Sequence, residues 1–222
     1  GFDLFGIKEP FSSLTFYHSN IYLNIVIILL IITGGIGFLV WGDIRIHKNR
    51  IRRFSLQSKV VLMTSAVLIV LPALYFFFYE YNRETIHDRT IHSLFQSVTT
   101  RTAGFNTTDL AAMDESGTAI MIILMLIGGS PGSTAGGMKT TTFAVLFLSA
   151  ITVLSRRNDV QCFKRRISDE AVRSAGAVLF MYLVLFFTSG IIISRVENLP
   201  LLTCLFETSS AIGTVGLSLG IT

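Results

Sequence analysis

The chain has 222 residues, 51% of them hydrophobic and only 14% charged, with 18 Phe against one Trp and a formal net charge of +4. Soluble domains carry about 25% charged residues, so this balance excludes an ordinary soluble domain and points to an all-α polytopic membrane protein. The basic excess does not call for a nucleic-acid partner, because it is gathered into two loops, where it reads as a topology signal.

In chain order, nothing near Gly1 resembles a signal peptide, and the absence of an initiator Met leads us to expect that the natural chain begins upstream. Residues 20–41, NIYLNIVIILLIITGGIGFLVW, carry no charge. As one helix they would reach about 33 Å at ~1.5 Å per residue, enough to cross the hydrocarbon core. Within them Gly34, Gly35 and Gly37 suit close helix contacts. Residues 60–79 form a second span, with a kink expected at Pro72. A third apolar region, 117–154, is about twice the usual spanning length and is interrupted in the middle. Residues 171–194 form a further span, with Arg173 at its edge, able to snorkel. Cys162 and Cys204 lie far apart and read as free thiols rather than a disulfide framework.

Basic residues near the spans set the orientation. The loop 43–59 holds Arg45, Lys48, Arg50, Arg52, Arg53 and Lys59 against one acid, and the loop 156–173 holds Arg156, Arg157, Lys164, Arg165, Arg166 and Arg173 against three. Both loops are therefore expected on the cytoplasmic side, and the acidic segments 80–89 and 107–117 outside. Between those outer segments only about ten residues, Ile91 to Thr100, have helical character, too few to cross. The segment must enter and return on one side, and irregular backbone at membrane depth is tolerated only where protein or a wet cavity surrounds it.

The arrangement repeats. LFQSVTTRTAGF (94–105) and LFETSSAIGTVGL (205–217) share Leu-Phe, an amide or acid, hydroxyl residues and a Gly, with nine residues from Phe95 to Gly104 and ten from Phe206 to Gly216. Gly1-Phe2 echoes Gly104-Phe105, and the spacings of 103 and 112 residues suggest tandem units of roughly 110, each built as span, re-entrant hairpin, span. Backbone carbonyls in such an extended stretch can replace the hydration shell of a cation, and Gly lets the backbone present them. Thr214-Val215-Gly216 reproduces the first three residues of the K⁺-filter sequence Thr-Val-Gly-Tyr-Gly, and Thr102-Ala103-Gly104-Phe105 keeps its small-residue and aromatic pattern.

The stretch GGSPGSTAGGMKTTT (128–142) follows the apolar run AIMIILMLI and invites comparison with a phosphate loop. Gly132 and Gly137 have the right separation, but Met138 stands where the Lys belongs and Lys139 comes one residue late. What remains is a helix breaker inside the membrane, whose freed backbone groups need a wet cavity or neighbouring protein.

Together, SVTTRTAGFNTTDL and IGGSPGSTAGGMKTTT resemble the KtrB, TrkH and HKT family of potassium transporters, over the whole chain. The resemblance implies four linked span, pore helix, span repeats around one ion pathway, of which this chain is a fragment: residues 1–50 the end of repeat two, 51–160 repeat three, and 161–222 the start of repeat four. It implies filter positions at Gly1, at Thr102, Ala103, Gly104 and Phe105, and at Thr214, Val215 and Gly216. It implies an intramembrane gate formed by Gly128, Gly129, Ser130, Pro131, Gly132, Ser133, Thr134, Ala135, Gly136, Gly137 and Lys139, with Lys139 near the pathway or reaching toward the cytoplasmic surface. Implied too are K⁺ as the transported ion, held by filter carbonyls only, Na⁺ as a further candidate in the role of activator or co-ion, and no organic cofactor on this chain. The implied partners are plasma-membrane lipid, a second copy in a homodimer, and a cytoplasmic ring of nucleotide-binding RCK subunits of the KtrA type.

Other residues read more plainly. Arg101 is expected to brace the pore helix rather than repel cations, and His92 to be a capping or interface residue rather than a metal ligand. His18, His47 and His87 read as loop residues, Glu207 as electrostatic or hydrogen-bonded support, and Phe76 to Phe78 as lipid-facing or packing surface. Alternatives to K⁺ uptake are Na⁺ conduction by the same scaffold, a membrane sensor or scaffold whose re-entrant segments only pack, and a membrane NTPase. None but the last is an enzyme.

Overall fold

The computed structural model describes residues 12–48, 50–157, 159–163 and 165–220. Gly1, with its expected filter role, lies outside them.

Helix α1, Ile21–Ile36, starts on Asn20, whose side chain accepts the Leu23 N–H at 3.1 Å. It ends at Gly37, which has φ +92°, and α2, Phe38–His47, leaves at 92° to it. The expectation of one straight span over 20–41 is therefore corrected: the 16 residues of α1 cover about 24 Å, short of the ~30 Å hydrocarbon core. The cause is tertiary. The Phe38 N–H, which a continuing helix would give to Gly34, is donated instead to the Gly132 carbonyl at 2.9 Å. Among the described residues, Gly34, Gly35 and Gly37 make close contacts with the 128–140 loop.

Helix α3, Leu56–Tyr75, is capped by Ser55 and runs through Pro72 into a π-turn at Phe76–Glu80; the 25 residues together are long and apolar enough to span. Pro72 has no N–H to give, and the irregularity appears as this widened turn just after it. Ser97 Oγ, from the next helix, sits 2.7 Å from the Ile69 carbonyl and 3.5 Å from that of Leu68, the acceptor Pro72 leaves without its usual donor. Of the aromatic cluster, Phe76 is wholly buried, Phe77 lies under the Arg89 guanidinium at 4.1 Å, and Phe78 is exposed.

Helix α4, Ile86–Thr99, begins five residues earlier than expected, because Thr85 and Asp88 form a cap, the Thr85 hydroxyl accepting the Asp88 N–H and donating to its carboxylate. His87 therefore sits in its first turn, and His47 ends α2, rather than in loops. The interrupted region forms α5, Glu115–Leu126, and α6, Thr140–Leu154. A small hairpin, β1 Gln161–Cys162 with β2 Arg165–Arg166, leads to α7, Asp169–Glu197, which starts on the Ser168 cap and ends on left-handed Asn198. Helix α8, Leu201–Ile212, follows.

The two short helices occupy equivalent places. Helix α4 packs on α3, the span before it, and on α1 from the preceding unit; α8 packs on α7, the span before it, and on α5 from the preceding unit. At 14 and 12 residues they reach about 21 and 18 Å, too little to cross. Both carry hydroxyl-rich C-terminal halves that are buried: Ser97 and Thr99 in α4, Thr208, Ser209 and Ser210 in α8. At membrane depth such polar groups need protein or a water-filled cavity beside them. Helix α7, by contrast, buries only Ala175, Phe186 and Gly190 and leaves Phe180, Met181 and Ile192 exposed, a stripe suited to lipid.

Candidate functional site

The ends of α4 and α8 lead into matching extended segments. After α4, the N–H groups of Ala103 and Gly104 turn back to the Thr99 carbonyl at 3.2 and 3.3 Å. After α8, Thr214 N–H reaches Ala211 and Val215 N–H reaches the Ser210 carbonyl, at 3.1 and 2.8 Å. One hydroxyl from each helix then clamps the carbonyl just past the glycine: Thr99 Oγ1 donates to Phe105, and Ser210 Oγ donates to Leu217 at 2.6 Å while accepting the Gly216 N–H at 3.1 Å. Thr99 and Ser210 stand four residues after Phe95 and Phe206, both of which are wholly buried, so the two segments hang from equivalent anchors.

The backbone follows one pattern in both. Thr102 has φ +64° and Gly104 +76°, with Ala103 between them outside the left-handed region; Thr214 has φ +55° and Gly216 +90°, with Val215 likewise between. A left-handed Thr costs of order 1–3 kcal/mol and persists only where its surroundings fix it. Alternating hand turns successive peptide planes to one side, unlike a strand, whose carbonyls alternate. The amides of Ala103, Gly104, Thr214 and Val215 turn back to the helix ends, and the carbonyls of Thr102, Ala103, Gly104, Thr214, Val215 and Gly216 accept no hydrogen bond among the described residues. The segments also meet. A Cβ on Gly104 would lie 2.1 Å from the Val215 carbonyl oxygen and 3.2 Å from the Gly216 carbonyl carbon, so only glycine allows this approach.

Side chains behind the segments hold them in place. Glu207 is buried, and its Oε1 accepts Ser218 Oγ–H at 2.8 Å and the Leu219 N–H at 2.7 Å, which makes it a hydrogen-bonded brace. Gln96, at the corresponding place in α4, donates to the Met121 sulfur at 2.9 Å. Arg101 is buried and donates to Ser65 Oγ at 3.1 Å, tying the end of α4 to α3. His92 bridges to Glu84 Oε2 at 2.7 Å, and no cluster of His, Cys, Asp or Glu able to hold a metal occurs among the described residues.

The 128–140 loop is a hydrogen-bonded unit beside these segments. Gly128 N–H donates to Met138 at 2.8 Å, Gly129 N–H to Gly136 at 3.3 Å and Thr140 N–H to Gly129 at 3.0 Å. Ser130 and Thr140 hydroxyls pair at 3.2 Å, Ser133 Oγ accepts the Ala135 N–H at 3.3 Å, and Thr134 Oγ1 reaches the Gly34 carbonyl at 3.4 Å. Lys139 folds its ammonium back onto the Ala135 carbonyl at 2.7 Å and does not reach for the surface. The loop touches the extended segment directly: a Cβ on Gly136 would be 1.9 Å from Thr214 Oγ1, and one on Gly137 would be 3.4 Å from the Gly213 carbonyl oxygen. A cavity of about 270 Å³ lies between α1 (Leu30, Ile31, Gly34, Gly35), Arg101 to Ala103 with Phe105, and Thr134 with Ala135.

Thus Thr102 to Phe105, Thr214 to Gly216 and residues 128–139 come together in one place. Sequence reasoning missed the hydroxyl clamps Thr99 and Ser210, the Ser65 partner of Arg101 and the contacts of the loop with the α1–α2 break. The clamps were readable in the aligned repeats, which put a hydroxyl at the same distance after the shared Phe; the others join residues remote in sequence and leave no local signal.

The whole chain, residues 1–222, is matched by the family model TrkH, described as a cation transport protein. It is 37% identical over 231 residues to the potassium/sodium uptake protein NtpJ of Enterococcus hirae, covering 100% of this chain and 50% of that one. It is 38% identical over 206 residues to the Ktr system potassium uptake protein B of Bacillus subtilis, covering 90% of this chain and 46% of that one. Its fold resembles the crystal structure of the potassium transporter TrkH from Vibrio parahaemolyticus, with a TM-score of 0.73 at 17% identity, over 95% of this chain and 48% of that one. The chain therefore spans about half the length of the curated relatives it matches. The match of the family model over residues 1–222, with relatives 37% and 38% identical, leads to one conclusion: the chain belongs to the TrkH family of cation transport proteins.

Proposed function

We propose that this chain forms the third quarter and parts of the second and fourth quarters of a K⁺ uptake pore in the plasma membrane. Thr102, Ala103, Gly104 and Phe105 belong to one filter segment and Thr214, Val215 and Gly216 to the next, their carbonyls standing in for the hydration shell of the ion. The observation that carries this reading is the approach of Gly104 to the Val215 carbonyl, with six carbonyls beside it that accept no hydrogen bond. Such oxygens are costly at membrane depth unless water or a cation meets them. The C-terminal ends of α4 and α8 add the negative ends of their dipoles.

The loop 128–139 obstructs the pathway below the filter until a cytoplasmic subunit moves it; the "Ktr system" name of the Bacillus relative fits an assembly of several components. A homodimer and an RCK ring of the KtrA type complete the proposed assembly, with loops 43–59 and 156–173 facing that ring. Na⁺ conduction is a second reading, favoured by the potassium/sodium name of the Enterococcus relative.

The test uses the full-length protein in proteoliposomes. Gly104→Ser or Gly216→Ser should reduce rubidium uptake more than about tenfold or admit Na⁺; uptake and selectivity both left intact would reject the filter. Deleting residues 130–137 should raise uptake without the partner, and unchanged uptake would reject the gate. Uptake of Na⁺ equal to that of K⁺ by the parent protein would favour the second reading.

A further inference from the structure

The loop 128–139 is attached to something that can move it. Its Ser130 N–H donates to the Gly35 carbonyl at 3.1 Å, and the Gly132 carbonyl accepts the Phe38 N–H at 2.9 Å. These two main-chain bonds run in opposite senses across the α1–α2 break. Thr134 Oγ1 adds a third link to Gly34, and a Cβ on Gly37 would fall 2.7 Å from the Pro131 carbonyl oxygen. The first amide of α2 is thus a partner of the loop, and α2 cannot shift along its axis without pulling on Gly132.

The other part of α2 is fastened to α3. Asp43 Oδ2 accepts Ser58 Oγ–H at 2.6 Å and the Ser55 N–H at 2.9 Å, at the capped start of that helix. Asp43 is the single acid among the six basic residues of the 43–59 loop. One continuous set of contacts therefore runs from the start of α3 through Asp43 and α2 to Gly132, and from the loop to Thr214.

We propose that Asp43 is a positioning residue for conduction: by clasping α2 to α3 it holds the α1–α2 corner in the place that keeps the loop under the filter. This rests on the gating role of the loop given above and adds where the loop is held. Force applied to α2 from the cytoplasmic side is transmitted to Gly132 through the Phe38 amide, because a helix of 10 residues moves as a rigid body.

The experiment measures rubidium uptake by the full-length protein in proteoliposomes without a regulatory subunit. Asp43→Ala should raise uptake at least about threefold, within the range by which substitutions along a contact network alter coupling. Combined with deletion of 130–137, the same substitution should add nothing, since the loop through which it acts is gone. A residue important only for stability would change uptake equally in both backgrounds. The second variant, Asp43→Cys with Ser58→Cys, should show the raised uptake when untreated. It should return to the parental level when a short bis-methanethiosulfonate joins the thiols, and rise again on reduction. If deletion raises uptake but Asp43→Ala and the crosslink leave it unaltered, the corner has no such role and the gate stands. If deletion itself changes nothing, the gating reading fails and the proposal fails with it.

Discussion

Thr214 and Gly136 touch: a Cβ on Gly136 would stand 1.9 Å from Thr214 Oγ1 and 3.0 Å from its Cβ. The loop and the left-handed turn of the second extended segment are therefore in steric contact, and neither can acquire volume without displacing the other. Gly136→Ala should strain this contact by about 1–3 kcal/mol. Relief comes most readily from the loop, whose held position rests on a few hydrogen bonds, while the extended segment is anchored by Ser210 and Glu207. Uptake without the regulatory partner should rise, by up to about tenfold for each 1.4 kcal/mol of shifted equilibrium. Rubidium flux in proteoliposomes measures it, and a fall in flux with intact K⁺ selectivity would place the displacement in the extended segment instead.

Thr99 and Ser210 hold the backbone immediately past each glycine, so their removal should affect discrimination before it affects folding. Thr99→Ala removes the hydroxyl that grips the Phe105 carbonyl, and Ser210→Ala frees both the Leu217 carbonyl and the Gly216 N–H. An unsatisfied buried polar group costs about 1–3 kcal/mol, enough to let strained neighbours such as Thr102 and Thr214 relax. Competition of Na⁺ with rubidium uptake should increase in both variants, and more in Ser210→Ala. Selectivity equal to the parent in both would mean that the clamps do not set the spacing of the carbonyls.

Much of this arrangement was written in local pattern, and the exceptions have physical causes. The apolar runs at 60–79 and 171–194 announce helices because any segment of that length and polarity must satisfy its backbone internally in lipid. The Phe-anchored repeats announce the two short helices and a glycine-bearing stretch after each. The break at Gly37 was not legible: glycines in an apolar run serve equally for close helix packing, and the acceptor that takes over the Phe38 N–H lies 94 residues on, at Gly132. The early start of α4 was legible in principle, since Thr85 and Asp88 have the spacing of a helix cap, but the surrounding charges read as an outer loop. The α2–α3 clasp through Asp43 depends on a fold that the sequence does not spell out residue by residue.

Glu207 separates two explanations that the sequence left level. Its Oε1 serves as acceptor for Ser218 and Leu219, a task an amide oxygen performs without charge. Glu207→Gln should therefore keep rubidium uptake within about twofold of the parent, while Glu207→Ala should lose most of it, since the Leu219 N–H is left without its acceptor at a cost of about 1–3 kcal/mol. Equal loss in both variants would show that the negative charge itself acts on the cation.

Cys162 tests the orientation of the chain. It sits half-buried in the β hairpin between α6 and α7, within a loop proposed, from its basic residues, to face the cytoplasm. Burial pushes its thiol above the ordinary thiol range, so the reactive thiolate is scarcer near neutral pH than for a free cysteine. A membrane-impermeant maleimide should label it in inside-out vesicles and not in intact cells. The rate should climb about tenfold per pH unit as pH rises toward the elevated pKa, because below it each unit multiplies the thiolate fraction by ten. Cys204, wholly buried in α8, should stay unlabelled from either side until the protein is denatured. Labelling of Cys162 from outside intact cells would invert the proposed topology and, with it, the proposed assignment of α2 and the 43–59 loop to the cytoplasmic side.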